Sequence, residues 1–285
     1  MPKEKEKGKE GKSKFNPLFA VGWAEKAIGF LKRLFTEKLL AKSLAGSKAL
    51  GKYGLAAAAV LGLLLSLVMA VRANSFIAFL IGVGWVLVVI VAMYVAGRFI
   101  DAGEKLIEST SSQLSSTAFL DCFGFLAAIV GTVGFVLLTV LAVQRKSESY
   151  FYVGVALLVA SVFFAAVAFN PKSVNIAIIK ESSAGHEAVG VIAFFLKGAL
   201  KLIPVVFGVG VVVSAVIMVI KGIGLFGADW RVAAAWSGVV QFGTMAFLFA
   251  LAPFLGFLLF ILSYLGLDVI QSILSVPGKL DKLAK

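Results

Sequence analysis

The sequence is short of the residues that most protein chemistry relies on. It has one cysteine, Cys122, and one histidine, His186, in 285 residues. A single thiol cannot close an internal disulfide, so nothing in the fold depends on an oxidising compartment. A single imidazole excludes the multi-ligand zinc sites and the His-based acid and base pairs, which need several partners at suitable spacing. His186 stands beside Glu187 with Glu181 nearby, which reads as a polar cluster at a helix start. No Walker loop, Gly-x-Ser-x-Gly elbow or cysteine pair is present. The Gly-x-Gly pairs at 82, 208 and 222 fall in or beside apolar runs and read as packing glycines. The residues therefore imply no metal, no cofactor and no catalytic centre.

Charge is scarce as well. Only 15% of the residues are charged while 60% are hydrophobic, and the mean hydropathy is +1.01. A soluble domain carries about a quarter charged residues, so a soluble fold is excluded. The chain reads as an all-α polytopic membrane protein. Its charges are also uneven, since thirteen of the 27 Lys and Arg fall in the first 52 residues, where the net charge is +8.

A membrane helix needs about 20 apolar residues, and five segments qualify directly: 54–71, 76–96, 123–143, 151–169 and 203–220. The stretch 232–267 is long for one crossing, yet 249–260 offers no polar residue for a hairpin turn. One span with an interfacial extension fits it, Pro253 forming a mid-span kink and Trp236 and Tyr264 sitting in the two aromatic belts. Tyr53, Tyr94, Tyr150 and Tyr152 also fall at span ends, and Trp85 is the mid-span exception. The expectation is six transmembrane helices, with seven as the alternative. No cleavage site follows the first apolar run, so it is expected to remain as an anchor.

Positive residues set the orientation. With six spans and the N-terminus inside, 22 Lys and Arg lie on the cytoplasmic side and 5 outside; seven spans give 19 and 8. The positive-inside rule prefers six, with both ends cytoplasmic. The expected plan is a disordered charged tail over 1–15, a basic amphipathic helix region over 16–52, a six-span domain over 53–275 with cytoplasmic loops 98–118 and 170–201, and a basic tail over 276–285.

Asn16 and Pro17 resemble a cap and first turn. Trp23, Ala27, Phe30, Leu31, Leu34 and Phe35 then recur at helical spacing among Lys26, Lys32, Arg33 and Lys38. This pattern suits a helix on an anionic leaflet, ending near 46–51. Interleaved glutamates leave no phosphate-tracking stripe, so nucleic acid is not an expected partner.

Amphipathic cytoplasmic stretches follow each pair of spans, at 98–114, 187–200 and 267–283. The segment STSSQLSST over 109–117 reads as an exposed loop. Val174, Ile176 and Ile178 alternate like a strand, which needs either a partner subunit or an extended linker role. The helix from Glu187 to Leu200 is expected to lie in the interface and to lead through Pro204 into the fifth span.

Two features of the spans stand out. Gly54, Ala58, Gly62, Ser66 and Ala70 recur at intervals of four, a face on which another helix can approach closely, either within the chain or in a second copy. No Asp, Glu, His or Lys lies in a span core, which argues against ion coupling. Ser66, Thr132, Thr139, Ser214, Gln241 and Thr244 are the interior polar groups, and Gln241 with Thr244 forms a possible polar spot. The function implied is a non-enzymatic membrane scaffold or accessory subunit that contacts anionic lipid and protein partners at the cytoplasmic face. The alternative is a channel or transporter component for a neutral or hydrophobic solute.

Overall fold

The computed structural model describes residues 17–179 and 183–283, with side chains described over 22–273 apart from 180–182, 229 and 230. The tail 1–15, the Asn16 cap and Glu181 lie outside the described residues. The described residues form seven α-helices: α1 (Pro17–Leu34), α2 (Glu37–Arg72), α3 (Phe76–Ser109), α4 (Thr117–Arg145), α5 (Glu148–Phe169), α6 (Ala184–Ile223) and α7 (Asp229–Leu283). Six of these, α2 to α7, are long and apolar enough to cross a membrane. The fold is that of an all-α polytopic membrane protein.

The basic N-terminal region differs from its expectation. It forms two helices, because the chain breaks at Phe35 and Thr36, where the Thr36 hydroxyl caps α2 by accepting from the Leu39 amide. From there α2 runs unbroken through Gly46 and Gly51 into the first span. Gly51 is no stop signal because it is a contact: a β-carbon there would lie 2.1 Å from the Phe207 ring. Gly208 returns the approach against the Ser47 backbone.

The loops are shorter than the sequence implies. α3 continues past the second span to Ser109, as its helical period over 98–114 implies, and α6 starts at Ala184 and leads through Pro204 into the fifth span, as expected. The 187–200 stretch is no separate helix but the first part of α6, and its Val189, Ala193, Phe194 and Leu200 are buried in an apolar cluster. α7 is one helix of 55 residues that passes through Pro253, so 232–267 crosses once, and it remains helical to Leu283, within the expected basic tail.

Two three-residue strands complete the fold. β1 (Ser112–Leu114) lies inside the supposedly exposed 109–117 loop, and it pairs in parallel with β2 (Ile176–Ile178), Ser112 opposite Ile176 and Leu114 opposite Ile178. The second strand therefore finds its partner within the chain. Ser112 and Leu114 are buried, and Val174 belongs to the 3₁₀ turn before β2.

Helices α2, α3, α6 and α7 pack into a four-helix body, with α6 against α7 and α2, and α3 against α2 and α7. Helices α4 and α5 pack chiefly on each other. They meet the body mainly at the strand-bearing end, where Phe119 and Phe123 from α4 meet Phe194 and Phe195 of α6 edge-on and Phe164 from α5 meets Phe195 in a tilted contact. Farther along α4, Val130, Val133, Val136, Leu137 and Val140 are exposed, as suits side chains facing lipid.

Candidate functional site at the strand-bearing end

Polar structure collects where four helix ends meet β1 and β2. The last carbonyls of α3 have no intrahelical donors, and Asn175 supplies them from across the fold. Its Nδ2 donates to the Ile107, Glu108 and Thr110 carbonyls at 3.3, 2.7 and 3.0 Å. Asn175 reaches them from the left-handed region, with φ 52°, a conformation that asparagine tolerates better than most residues. Glu187 does the opposite task at the start of α4. Its carboxylate accepts from the Ser115 amide at 2.7 Å and the Ser116 amide at 2.9 Å, while the Ser116 hydroxyl caps the helix through the Phe119 amide.

Lys197 fills the centre of this junction and has no exposed surface. Its ammonium donates to the Thr110 carbonyl and, at 3.2 Å, to the Asn175 carbonyl. The Tyr264 ring lies 6.0 Å from Nζ, stacks on Phe260 and brings its hydroxyl to 3.3 Å from Ser112 Oγ. Burying an ammonium costs several kcal/mol, on the order of 5. Here the partial negative charge of the α3 C-terminus and two carbonyls offset that cost. No carboxylate forms an ion pair with Lys197 among the described residues, and its two bonds join α6 to the carbonyls that follow α3 and precede β2. Sequence reasoning missed this role. The available signal was a lysine directly after the apolar run Val191 to Leu196. Tyr264, expected in an interfacial belt, is likewise buried here.

A cleft of about 340 Å³ opens beside the junction, between α2, α3, α6 and α7. Lys48, Glu104, Glu108, Ser173 and Lys201 supply its polar wall. Lys201 donates to the Ser173 carbonyl, and Lys48 pairs with Asp101. The Ser173 hydroxyl is buried with no hydrogen-bond partner. On the other side, Ser111, Gln113, His186, Asp268 and Gln271 line a groove of about 460 Å³. His186 Nδ1 is engaged with Ser183 Oγ at 2.7 Å, while Asp121 is held by Lys32, so these two are not brought together. No group of three metal-ligating side chains occurs among the described residues.

The small-residue stripe of the first span is occupied by the chain's own helices. Gly54 faces Val211 and Val212 of α6, and the buried Ala58 accepts a hydrogen bond from Trp85 Nε1 at 3.2 Å. Gly62 lies under the Trp85 indole, and buried Ser66 touches Gly82. Ala70 is half-buried at the far end. Trp85 is a mid-span residue because this stripe holds it. Gly54 to Ser66 thus pack against helices of the same chain.

Gln241 and Thr244 do not form an interior polar spot. Both are exposed on the outside of α7, where the Thr244 hydroxyl donates to the Val240 carbonyl at 2.9 Å. Lys26, Lys32, Arg33 and Lys38 are all exposed. Lys32 forms an ion pair with Asp121 at 2.7 Å, and Trp23 meets Phe125 edge-on, so α1 lies against the start of α4. Its Trp23, Phe30 and Leu34 remain more than half exposed.

No protein-family model matches the chain, and neither the curated proteins nor the solved structures contain a match.

Proposed function

We propose that the chain is a non-enzymatic integral membrane scaffold that contacts anionic lipid and protein partners at its strand-bearing end, which the positive-inside rule puts in the cytoplasm. The observation that carries this reading is the separation of polarity. Backbone capping, the parallel strands and the clefts occupy one end, while the polar groups of the spans are closed off or turned outward. Ser66 donates to the Leu63 carbonyl and touches Gly82, and Ser214 is buried. Thr132, Gln241 and Thr244 lie on the exterior. These positions supply no continuous polar path, the feature a transport reading needs.

Helix α1 is the proposed lipid contact. Exposed Trp23, Phe30 and Leu34 share a face by helical spacing, and Lys26 and Arg33 flank it. Each basic group near an anionic surface contributes about 1 kcal/mol.

The reading is tested with the full chain reconstituted in vesicles and, separately, purified from its native membrane. A stoichiometric companion that survives purification and is lost when Lys26, Arg33 and Lys38 become glutamine is expected. Solute flux above that of protein-free vesicles, without such a companion, overturns the scaffold reading in favour of transport.

A further inference from the structure

The cleft between α2, α3 and α6 is graded along the bundle axis. Along α3 its wall passes from Glu108 and Glu104 through Gly103 and Ile100 to Phe99. Nine residues of helix rise make this a change from charged to apolar over roughly 14 Å. The opposite wall repeats the order, from Lys201 to Ile203 and the buried Pro204, with Pro253 of α7 at the apolar end. A ligand matching this wall is charged at one end and oily at the other.

The charged end is specific about sign. It carries one cation, Lys201, and two carboxylates, Glu104 and Glu108, while Lys48 lies farther toward Phe99, paired with Asp101. Glu104, Glu108 and Glu37 lie close enough to Lys201 to interact with it electrostatically. Neither Glu104 nor Glu108 forms an ion pair among the described residues. A purely anionic headgroup would therefore meet repulsion along with attraction. A headgroup with a phosphate and an ammonium meets an opposite charge at both positions.

One unused hydrogen-bonding group lies in the same wall. The Ser173 hydroxyl is buried without a partner. It can donate to a phosphate oxygen. The volume, about 340 Å³, is at the small end of ligand sites, which run to roughly 1,000 Å³. It holds a headgroup and its glycerol, leaving acyl chains to the bilayer.

We propose that this cleft binds one glycerophospholipid with a primary-amine zwitterionic headgroup of the phosphoethanolamine type, its phosphate toward Lys201 and Ser173 and its ammonium toward Glu104 and Glu108. The site is separate from α1 and does not rest on the scaffold reading.

The test is native mass spectrometry of the full chain in detergent, titrated with phosphatidylethanolamine, phosphatidylcholine or phosphatidylglycerol, and with soluble phosphoethanolamine. One molecule of phosphatidylethanolamine is expected to bind about tenfold more tightly than either other lipid, because trimethylation removes the N–H donors and the glycerol headgroup lacks the cation. Glu104→Gln with Glu108→Gln should erase that preference. Ala45→Phe fills the cleft without changing charge and should abolish binding, even where the charge variant fails to fold. Equal binding of the three lipids, a preference retained in the charge variant, wild-type binding by Ala45→Phe, or equal affinity for soluble phosphoethanolamine overturns the proposal.

Discussion

Gly82 and Gly84 are two residues apart on α3, and alanine at the two positions should move stability in opposite directions. A methyl at Gly84 meets nothing within 4 Å. The helix then gains only the difference between Ala and Gly, about 1 kcal/mol. At Gly82 the same gain is overridden, because the new β-carbon would stand 1.7 Å from Ser66 Oγ and 2.6 Å from Ser66 Cβ. The hydroxyl can rotate and give up its 2.8 Å bond to the Leu63 carbonyl. The β-carbon cannot, so α2 and α3 must separate by roughly 1 Å to recover ordinary carbon contacts. Overpacking of this kind costs about 1–3 kcal/mol, and the lost hydroxyl bond adds about 1 kcal/mol. The net expectation for Gly82→Ala is a loss of about 1–3 kcal/mol, against a gain of about 1 kcal/mol for Gly84→Ala. Thermal unfolding in detergent, followed by tryptophan fluorescence, should place the two midpoints on opposite sides of the unmodified protein. Shifts of the same sign refute the argument that α2 and α3 meet through Ser66 and Gly82.

Other perturbations test other contacts. Gly62→Leu drives the Trp85 ring from its site and from the Ala58 carbonyl, and should cost more than about 3 kcal/mol; folded yield should fall far more than for Leu63→Ala, and equal yields would remove the packing claim. Asn175→Ala loses three bonds to α3 carbonyls and keeps a left-handed backbone under a β-carbon, at about 3–5 kcal/mol. Asn175→Gly should recover about 1 kcal/mol of that in an unfolding titration, since glycine accepts the backbone. Lys197→Met should shift stability by no more than about 1 kcal/mol, because burial of the ammonium is relieved while the Thr110 and Asn175 carbonyls each retain a second donor, Asn175 Nδ2 and the Ser112 amide; a loss above about 3 kcal/mol would show that the charge itself holds the junction. A reporter fused after Lys285 should be active only on the cytoplasmic side, and extracytoplasmic activity would refute the even number of crossings.

The spans were legible because hydrocarbon solvates only apolar runs of sufficient length. The single crossing of 232–267 was legible for a related reason: no residue over 249–260 could turn in water. The signals that misled were compositional. Gly46 and Gly51 resemble a helix end in a soluble protein, whereas in α2 Gly51 makes room for Phe207. The serines of 109–117 resemble an exposed loop, yet β1 is held by β2 and its Leu114 is wholly buried. Pairing between segments 61 residues apart leaves no local trace in either one. The junction at Lys197 was hidden for the same reason, since its partners come from α3, β2 and α7. Gln241 and Thr244 share a helical face, but spacing alone does not say whether that face looks inward.

The parallel pairing of β1 with β2 also constrains the order in which the protein is made. The connection between them is a complete transmembrane hairpin, α4 and α5. Ser112–Leu114 therefore leaves the ribosome well before its partner, and it can pair only after the chain has crossed the membrane twice more. Lys197 follows with α6, and Tyr264 comes last, with α7. Insertion of the hairpin thus precedes closure of the polar junction, and a nascent chain stopped after β2 holds the two strands without the lysine that later donates to the Thr110 and Asn175 carbonyls beside them.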